Sequence, residues 1–330
     1  MVFIMAKVES LMNIIPTKVV PVIRRLSLIL ALVAGLGLTA CSTATTTDGR
    51  ISIVASTNVW GEIAKEVGGD RVDVTSFISN PNADPHSYEA DAQNQLALAN
   101  AKVVIENGGG YDDFMNQMLS ASGSKATVIN AVQVASTAMA SLCLGCGPGA
   151  TITPVTVTNE HVWYSLSTVD AMAAHIADAL AATDPAHAAA YKANAAAFTK
   201  KVNALGAISS NFRRTHPASP SVGITEPVPV YLLNDMGIHV ATPFAFSKAI
   251  EEGNGVPVAV MQQTEQQISD HQIKALVYNA QTTGPETTTI LGVATSSGVP
   301  TVPVTETIPT GMTYVSWMRS EIGAIIKAVG

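Results

Sequence analysis

Asp184-Pro-Ala-His-Ala-Ala-Ala-Tyr191-Lys-Ala-Asn-Ala-Ala-Ala-Phe198-Thr-Lys-Lys-Val202-Asn-Ala-Leu205-Gly206-Ala-Ile-Ser-Ser-Asn-Phe212-Arg-Arg-Thr215 is the stretch on which the fold turns. It is dense in Ala, Lys and Asn, and its breakers are Pro185, near the start, and Gly206. Asp184-Pro185 reads as an N-cap followed by Pro in the first turn, and His216-Pro217 as the stop. Ala190, Tyr191, Ala197, Phe198, Val202 and Leu205 supply apolar positions along it. The pattern predicts one long helix over residues 184–215. A helix in place of a Gly/Ser linker limits how far the segments on either side can swing apart.

Those flanking segments both alternate short β-branched runs with helical patterns. In the first, Ile51 to Thr57, Val72 to Ile78, Val103 to Glu106 and Thr127 to Ala131 read as strands. Asn58 to Val67, Ala90 to Ala99 and Tyr111 to Leu119 carry helical spacing between them. In the second, Ser221 to Thr225, His239 to Thr242, Ala275 to Tyr278 and Thr301 to Thr305 alternate with Pro229 to Met236, Glu265 to His271, Pro285 to Thr295 and Tyr314 to Val329. Alternation of this kind builds parallel sheets covered on both faces. The expectation is an α/β chain of two lobes, residues 50–183 and 216–330, bridged by the helix.

The first 41 residues read as an export signal. Arg24-Arg25 supply the positive region, Leu26 to Leu38 an apolar stretch short for a membrane span, and Leu38-Thr39-Ala40-Cys41 the end. The Met5 and Met12 codons are alternative starts. The tetrapeptide resembles a bacterial lipobox, which implies cleavage before Cys41 and lipidation of its sulfur. An ordinary secretory signal with an incidental Cys41 is the alternative. Residues 42–49 have no apolar content to bury and read as a tether.

A chain of 330 residues with 47% hydrophobic and 13% charged residues has a sizeable core to bury. Its net charge of -7 argues against nucleic acid as a partner, because nothing in it can track a phosphate backbone. Cys143 and Cys146, in Leu-Cys-Leu-Gly-Cys-Gly, read as a small disulfide loop in an exported protein. A redox pair would open a helix, against which Gly145, Gly147, Pro148 and Gly149 speak, and no second pair exists to complete a four-thiolate zinc site. Gly108-Gly-Gly110 lacks the Lys-Ser/Thr of a nucleotide loop, and no Gly-x-Ser-x-Gly elbow is present.

Ligands of open α/β sheets bind beyond the carboxyl ends of the strands. Glu226 directly follows the strand-like run ending at Thr225, and Glu306 the run ending at Thr305. His86 stands in the Pro-braced loop Asn80-Pro-Asn-Ala-Asp-Pro-His-Ser-Tyr-Glu89 after a third run, and His161 follows the β-rich Thr151 to Thr158. Two lobes giving two ligands each place an ion in the cleft between them. Taken singly, His86 with Glu89, and Glu226 before Pro227, also read as helix caps. His175, His187 and His271 fall within helical patterns and read as solvated or packed. His216 suits a helix C-terminus, and His239 is a weaker reserve ligand. Asp112-Asp113 read as acids at a helix start. Trp60, Trp163 and Trp317 read as core residues, with the cleft wall as the alternative.

With these residues in view, the chain resembles the metal-binding lipoproteins of bacterial zinc and manganese ABC importers, the cluster A-I solute-binding proteins. Gly68-Gly-Asp-Arg-Val-Asp-Val-Thr75, Asp84-Pro-His-Ser-Tyr-Glu89 and Ala99-Asn-Ala-Lys-Val-Val-Ile-Glu-Asn107 stand in the order of that family's N-lobe. The resemblance makes His86 the first ligand. His161-Val-Trp163 resembles the second ligand motif, with Asn159-Glu160 where Asp-Pro is usual. Thr225-Glu226, with Tyr231 and Gly237 downstream, resembles the third, and Thr305-Glu-Thr-Ile308 the fourth, more often an Asp.

The resemblance implies two pseudo-symmetric lobes with four-stranded parallel sheets and one long backbone helix. It implies no enzymatic activity, but capture of a divalent transition metal at the outer face of the cytoplasmic membrane. Lipid anchoring, a monomeric state and delivery to an ABC permease with its cytoplasmic ATPase follow from it. Two imidazoles and two carboxylates balance a divalent charge. Carboxylates suit manganese, and affinity rises from manganese towards zinc, so Mn(II) is slightly favoured with Zn(II) close behind. No His-rich loop lies between the first two ligands. The alternatives are a receptor for a metal chelate of siderophore or cobalamin type and an exported metallohydrolase; an adhesin role is neither supported nor excluded.

Overall fold

β1 (Ile51–Thr57) is β-branched and buried along nearly its whole length, which suits a strand with neighbours on both edges and helices on both faces. In the computed structural model, which describes residues 49–80, 88–141 and 155–330, it is the centre of the first sheet. After α1 (Asn58–Gly68) comes β2 (Val72–Ile78), parallel to β1 with Ile78 opposite Thr57. α2 (Ala92–Asn100) leads to β3 (Val103–Glu106) and α3 (Asp113–Ser122) to β4 (Thr127–Asn130), giving the order β2-β1-β3-β4. α4 (Ala131–Ser141) and α5 (Leu166–Thr183) complete this half.

The long helix follows as α6 (Ala188–Thr215), preceded by a 3-10 turn over Pro185–His187. Its buried residues, Tyr191, Ala195, Phe198, Val202, Leu205, Ser209 and Phe212, recur every three or four positions and form one stripe. Ala190 and Ala197, expected on that stripe, lie exposed. Asp184 does not cap the helix: its carboxylate accepts from Tyr191 Oη at 2.8 Å and pairs with His187 Nδ1 at 2.6 Å. His216 ends the helix with its ring stacked on Phe212 and Nδ1 3.0 Å from the Phe212 carbonyl.

The second half repeats the plan. β5 (Ser221–Ile224), α7 (Val230–Asp235), β6 (His239–Val240), α8 (Phe244–Glu251), α9 (Val258–Ser269), β7 (Leu276–Asn279), α10 (Pro285–Ser296), β8 (Thr301–Val304) and α11 (Tyr314–Val329) follow in turn. The sheet order is β6-β5-β7-β8, again all parallel. Each sheet therefore places its first strand beside its second and third, with the fourth outermost. α6 packs against α1 and α5 of the first half and against α7 and α11 of the second. One core cluster runs through the junction, from Ile53 and Trp163 to Ile224, Val304 and Trp317.

Several expectations change in position. α9 begins at Val258, before the expected Glu265, α5 carries the helical pattern read around His175, and α4 and α8 were not anticipated. Residues 155–158, read as the end of a strand-like run, form no strand; Val155 N donates instead to Ser136 O in α4. Alternating Thr and Val make a strand only where a sheet edge accepts them. The leader with Cys41, the tether to residue 48, the loop residue His86 and the pair Cys143 and Cys146 lie outside the described residues. Among the described residues no helix is long and apolar enough to cross a membrane.

Candidate metal centre

Glu226 and Glu306 each stand two residues beyond a strand of the second sheet, β5 and β8, with 2% and 0% of their surface exposed. Two buried carboxylates need donors. Asn279, the last residue of β7 and the strand between them, provides one: its Nδ2 donates to Glu226 Oε2 at 2.9 Å and to Glu306 Oε1 at 2.6 Å. The amide is oriented by Gln281 N, which donates to its Oδ1 at 3.0 Å. Thr282 Oγ1 donates to Glu226 Oε2 at 3.0 Å, and the backbone N–H of Glu306 donates to Gln281 Oε1 at 2.6 Å. Glu226 does not cap α7, whose N-cap is Pro229.

His161 reaches the same place from the first half. It is fully buried at the start of a 3-10 turn over Val162–Tyr164, not after a strand as expected. Its Nδ1 lies 2.7 Å from Asn159 Oδ1. Asn159 Nδ2 donates to Pro227 O at 2.9 Å, which only an NH2 group can do, so Oδ1 is the atom that faces the ring. The ring hydrogen is therefore on Nδ1, and Nε2 presents its lone pair. That nitrogen lies 3.4 Å from Glu251 Oε1 and 3.8 Å from Glu306 Oε2. Tyr231 Oη donates to Asn159 O at 2.7 Å, so one asparagine ties the imidazole to two residues of the second half.

Glu251, the last residue of α8, was not picked out in the sequence. Its side chain is 11% exposed, and Glu160, His161 and Glu251 bring ligand atoms within 4.8 Å of one another. Burial, then the charges of Glu160, Glu226 and Glu306, push the Glu251 carboxyl up to about 10. Its neighbour Glu252 turns outward to Lys248. Adjacent helical residues point about 100° apart, so only one of the pair can face the cluster.

The wall of the site is aromatic. Tyr111 and Trp163 stand edge-on to His161, with ring centroids 6.2 and 5.1 Å away. Burial, the Glu306 charge and a hydrogen bond to Glu306 hold the Tyr111 hydroxyl well above its usual range, so it stays a donor. Gly108, Gly109 and Gly110 all have positive φ, a run only glycine adopts readily, and it delivers Tyr111. The Asp112 carboxylate accepts from the N–H groups of Asn107 and Gly108 at 2.6 and 2.7 Å, so this loop is closed by its own acid. Trp60 and Trp317 are core residues, as expected, and Trp163 joins core and cleft. His175, His239 and His271 are exposed, and His187 is half-buried at Asp184. The cap expected of Glu89 belongs instead to Asp91, which accepts from Gln93 N and Asn94 N.

Two parallel sheets of like order, one long helix packed on both halves and a buried imidazole–carboxylate cluster at the carboxyl ends of the strands define a two-lobed α/β architecture. Within it, the chain belongs to the ZnuA family, zinc-uptake complex component A, periplasmic, whose model matches residues 53–328. It is 28% identical over 181 residues to the manganese-binding lipoprotein MntA of Bacillus subtilis, covering 53% of this chain and 55% of that one. It is 26% identical over 263 residues to the manganese ABC transporter substrate-binding lipoprotein scaA of Streptococcus gordonii, covering 76% of each. With the iron-binding protein YfeA of Yersinia pestis the identity is 28% over 158 residues, 47% of that protein. The chain thus spans about half the length of several relatives it matches. The crystal structure of ZnuA superposes with a TM-score of 0.68 at 20% identity, over 85% of this chain and all of that one. The nickel complex of FpvC from P. aeruginosa superposes with 0.65 at 23% identity, over 85% and 97%. These structural likenesses establish the two-lobed fold.

Proposed function

We propose that the protein captures one divalent transition-metal ion between its two halves and delivers it to the permease of an ABC importer. The observation that carries this reading is the approach of His161 from the first half to Glu306 of the second, with Glu226 joined to Glu306 through Asn279, all nearly or fully buried. Buried carboxylates sharing a site repel one another, and a divalent cation removes that repulsion. Family membership and the names of the manganese and iron relatives point the same way. The lobes are residues 50–183 and 216–330, with residues 184–215 as the bridge.

His86 is the fourth ligand in this reading. β2, which precedes its loop, ends opposite Thr57. The next residue, Asn58, exchanges two hydrogen bonds with Ile308, at 2.9 and 3.0 Å, two residues from Glu306. β2 thus ends on the side of the sheet where Glu306 lies.

The chain acts as a carrier, not a catalyst. A lipid on Cys41 holds it as a monomer at the outer face of the cytoplasmic membrane, and a permease with its ATPase receives the ion. The ion is Mn(II) or Zn(II), and manganese is favoured by the carboxylates.

Residues 50–330 form one compact unit, so the fragment from Ser42 onward suits the test. Stripped of metal, it should bind one Mn(II) or Zn(II) per chain, and His161→Ala should lose most of that affinity. If neither ion binds, the reading fails.

A further inference from the structure

We propose that Glu251 is a metal ligand of this site, and that its added carboxylate biases the site towards Mn(II) over Zn(II). The inference rests on the reading given under Proposed function. It goes beyond the ligands legible in the sequence, because Glu251 follows no strand and ends a helix that the sequence pattern did not reveal.

The geometry is that of donors around one ion. Metal–ligand bonds of about 2.1 Å place neighbouring donor atoms about 3.0–3.5 Å apart, depending on the coordination angle. His161 Nε2 and Glu251 Oε1, 3.4 Å apart, fall within that range, and His161 Nε2 and Glu306 Oε2, 3.8 Å apart, lie just beyond it. The Asn159 contact has turned the lone pair of Nε2 to this side. Glu251 and Glu306 thus flank the one nitrogen that is already set to coordinate.

The placement of Glu251 is built rather than incidental. α8 is anchored by Phe246, fully buried in a cluster with Ile268, Leu276 and Ile290. Gly253, with φ of 64°, ends the helix, and its N–H donates to Ile250 O. The terminal residue is therefore held, and its carboxyl is hydrogen-bonded to Glu160. Glu251 is also the more exposed acid, at 11% against 2% for Glu226 and 0% for Glu306. It stands beside a 430 Å³ cleft lined by Ile250, Gly253, Gln281 and Thr282, residues that adjoin or bond the three acids.

Selectivity follows from donor number. With the four ligands of that reading, Glu251 is a fifth donor, surplus to the four that zinc prefers. Manganese takes more ligands and prefers oxygen, so the same carboxylate adds to its affinity.

The test uses the metal-stripped chain from Ser42 onward as wild type, His161→Ala, Glu251→Gln, Glu251→Asp and, as a neighbouring control, Glu252→Gln. Mn(II) and Zn(II) are titrated in competition, and Co(II) absorption reports coordination number, because its visible bands strengthen as the number falls to four. Glu251→Gln should weaken Mn(II) at least tenfold and Zn(II) less than threefold, with a stronger Co(II) band; Glu252→Gln should match wild type. Glu251→Asp, which keeps a carboxylate, should fall between, and far-ultraviolet circular dichroism checks that each variant folds. If Glu251→Gln keeps the wild-type metal ratio and Co(II) spectrum while His161→Ala loses binding, this inference is wrong and the function stands. If wild type binds no ion, both fall.

Discussion

Replacing Glu321 with Gln should remove most of a pH-dependent weakness from the fold. Glu321, on α11, is nearly fully buried and touches both ligand-bearing segments: Oε1 accepts from Thr305 N at 3.2 Å, next to Glu306, and Oε2 lies 2.6 Å from Tyr164 Oη, in the turn after His161. Trp317 Nε1 also donates to Oε1, at 2.7 Å. Tyr164 Oη lies 2.7 Å from Thr305 O as well, and one phenolic hydrogen cannot serve both oxygens. A protonated Glu321 resolves this by donating to the phenol, which then donates to Thr305 O. Burial accordingly pushes the carboxyl from 4.5 to about 8.

Between those values the folded chain holds a proton that the unfolded chain has lost. Stability is therefore full below about pH 4.5, falls as pH rises, and levels off above about pH 8. At about 1.4 kcal/mol per unit, the loss from this one group is on the order of 3–5 kcal/mol. Gln keeps the same bonds, donating through Nε2 to Tyr164 and accepting through Oε1, and has no charge to bury. Urea unfolding of the metal-free protein should give Glu321→Gln more stable than wild type by only about 1.4 kcal/mol at pH 5.5 and by about 4–5 kcal/mol at pH 8.5. Other groups titrate equally in both proteins and cancel. Parallel curves for the two proteins, or equal destabilisation of the variant at both pH values, would refute the reasoning.

Asn159→Ala removes the acceptor that sets the His161 ring and the tie to Pro227; metal affinity should fall about 10- to 100-fold in the titration, with the fold intact by circular dichroism. Asn279→Ala takes the shared donor from Glu226 and Glu306. Its cost should be about 2–4 kcal/mol in the metal-free form and smaller with Mn(II) bound, measured by urea unfolding with and without the ion. Phe198→Ala, at a fully buried position of the long helix, should cost about 3–5 kcal/mol in the same assay, and a near-native midpoint would deny the helix its place in the core.

Where a signal was local, it could be read directly. β1 and β3 are continuous β-branched runs, and α10 and α11 carry their boundaries in Gly284-Pro285 and in the Thr313 capping box. Glu226 and Glu306 follow strands whose type was unambiguous, and their position at the carboxyl ends followed from the parallel topology alone. The 155–158 segment misled because its composition matches a strand while its neighbour in space is a helix.

Glu251 shows the other limit. Glu251-Glu252-Gly253 reads as an acidic helix end facing water, and nothing in those letters says which acid turns inward. Asn159 is similar: it departs from the usual family motif, yet its amide makes the contact that orients His161. The amino-acid sequence by itself determined the two α/β halves, the helix between them and the acids at the strand ends, because helical and strand periodicity and chain order are local properties. Only the tertiary structure decided which further side chains share the cavity, how the imidazole is turned and which carboxyls keep their protons, because those depend on groups far apart in the chain and on their burial among one another.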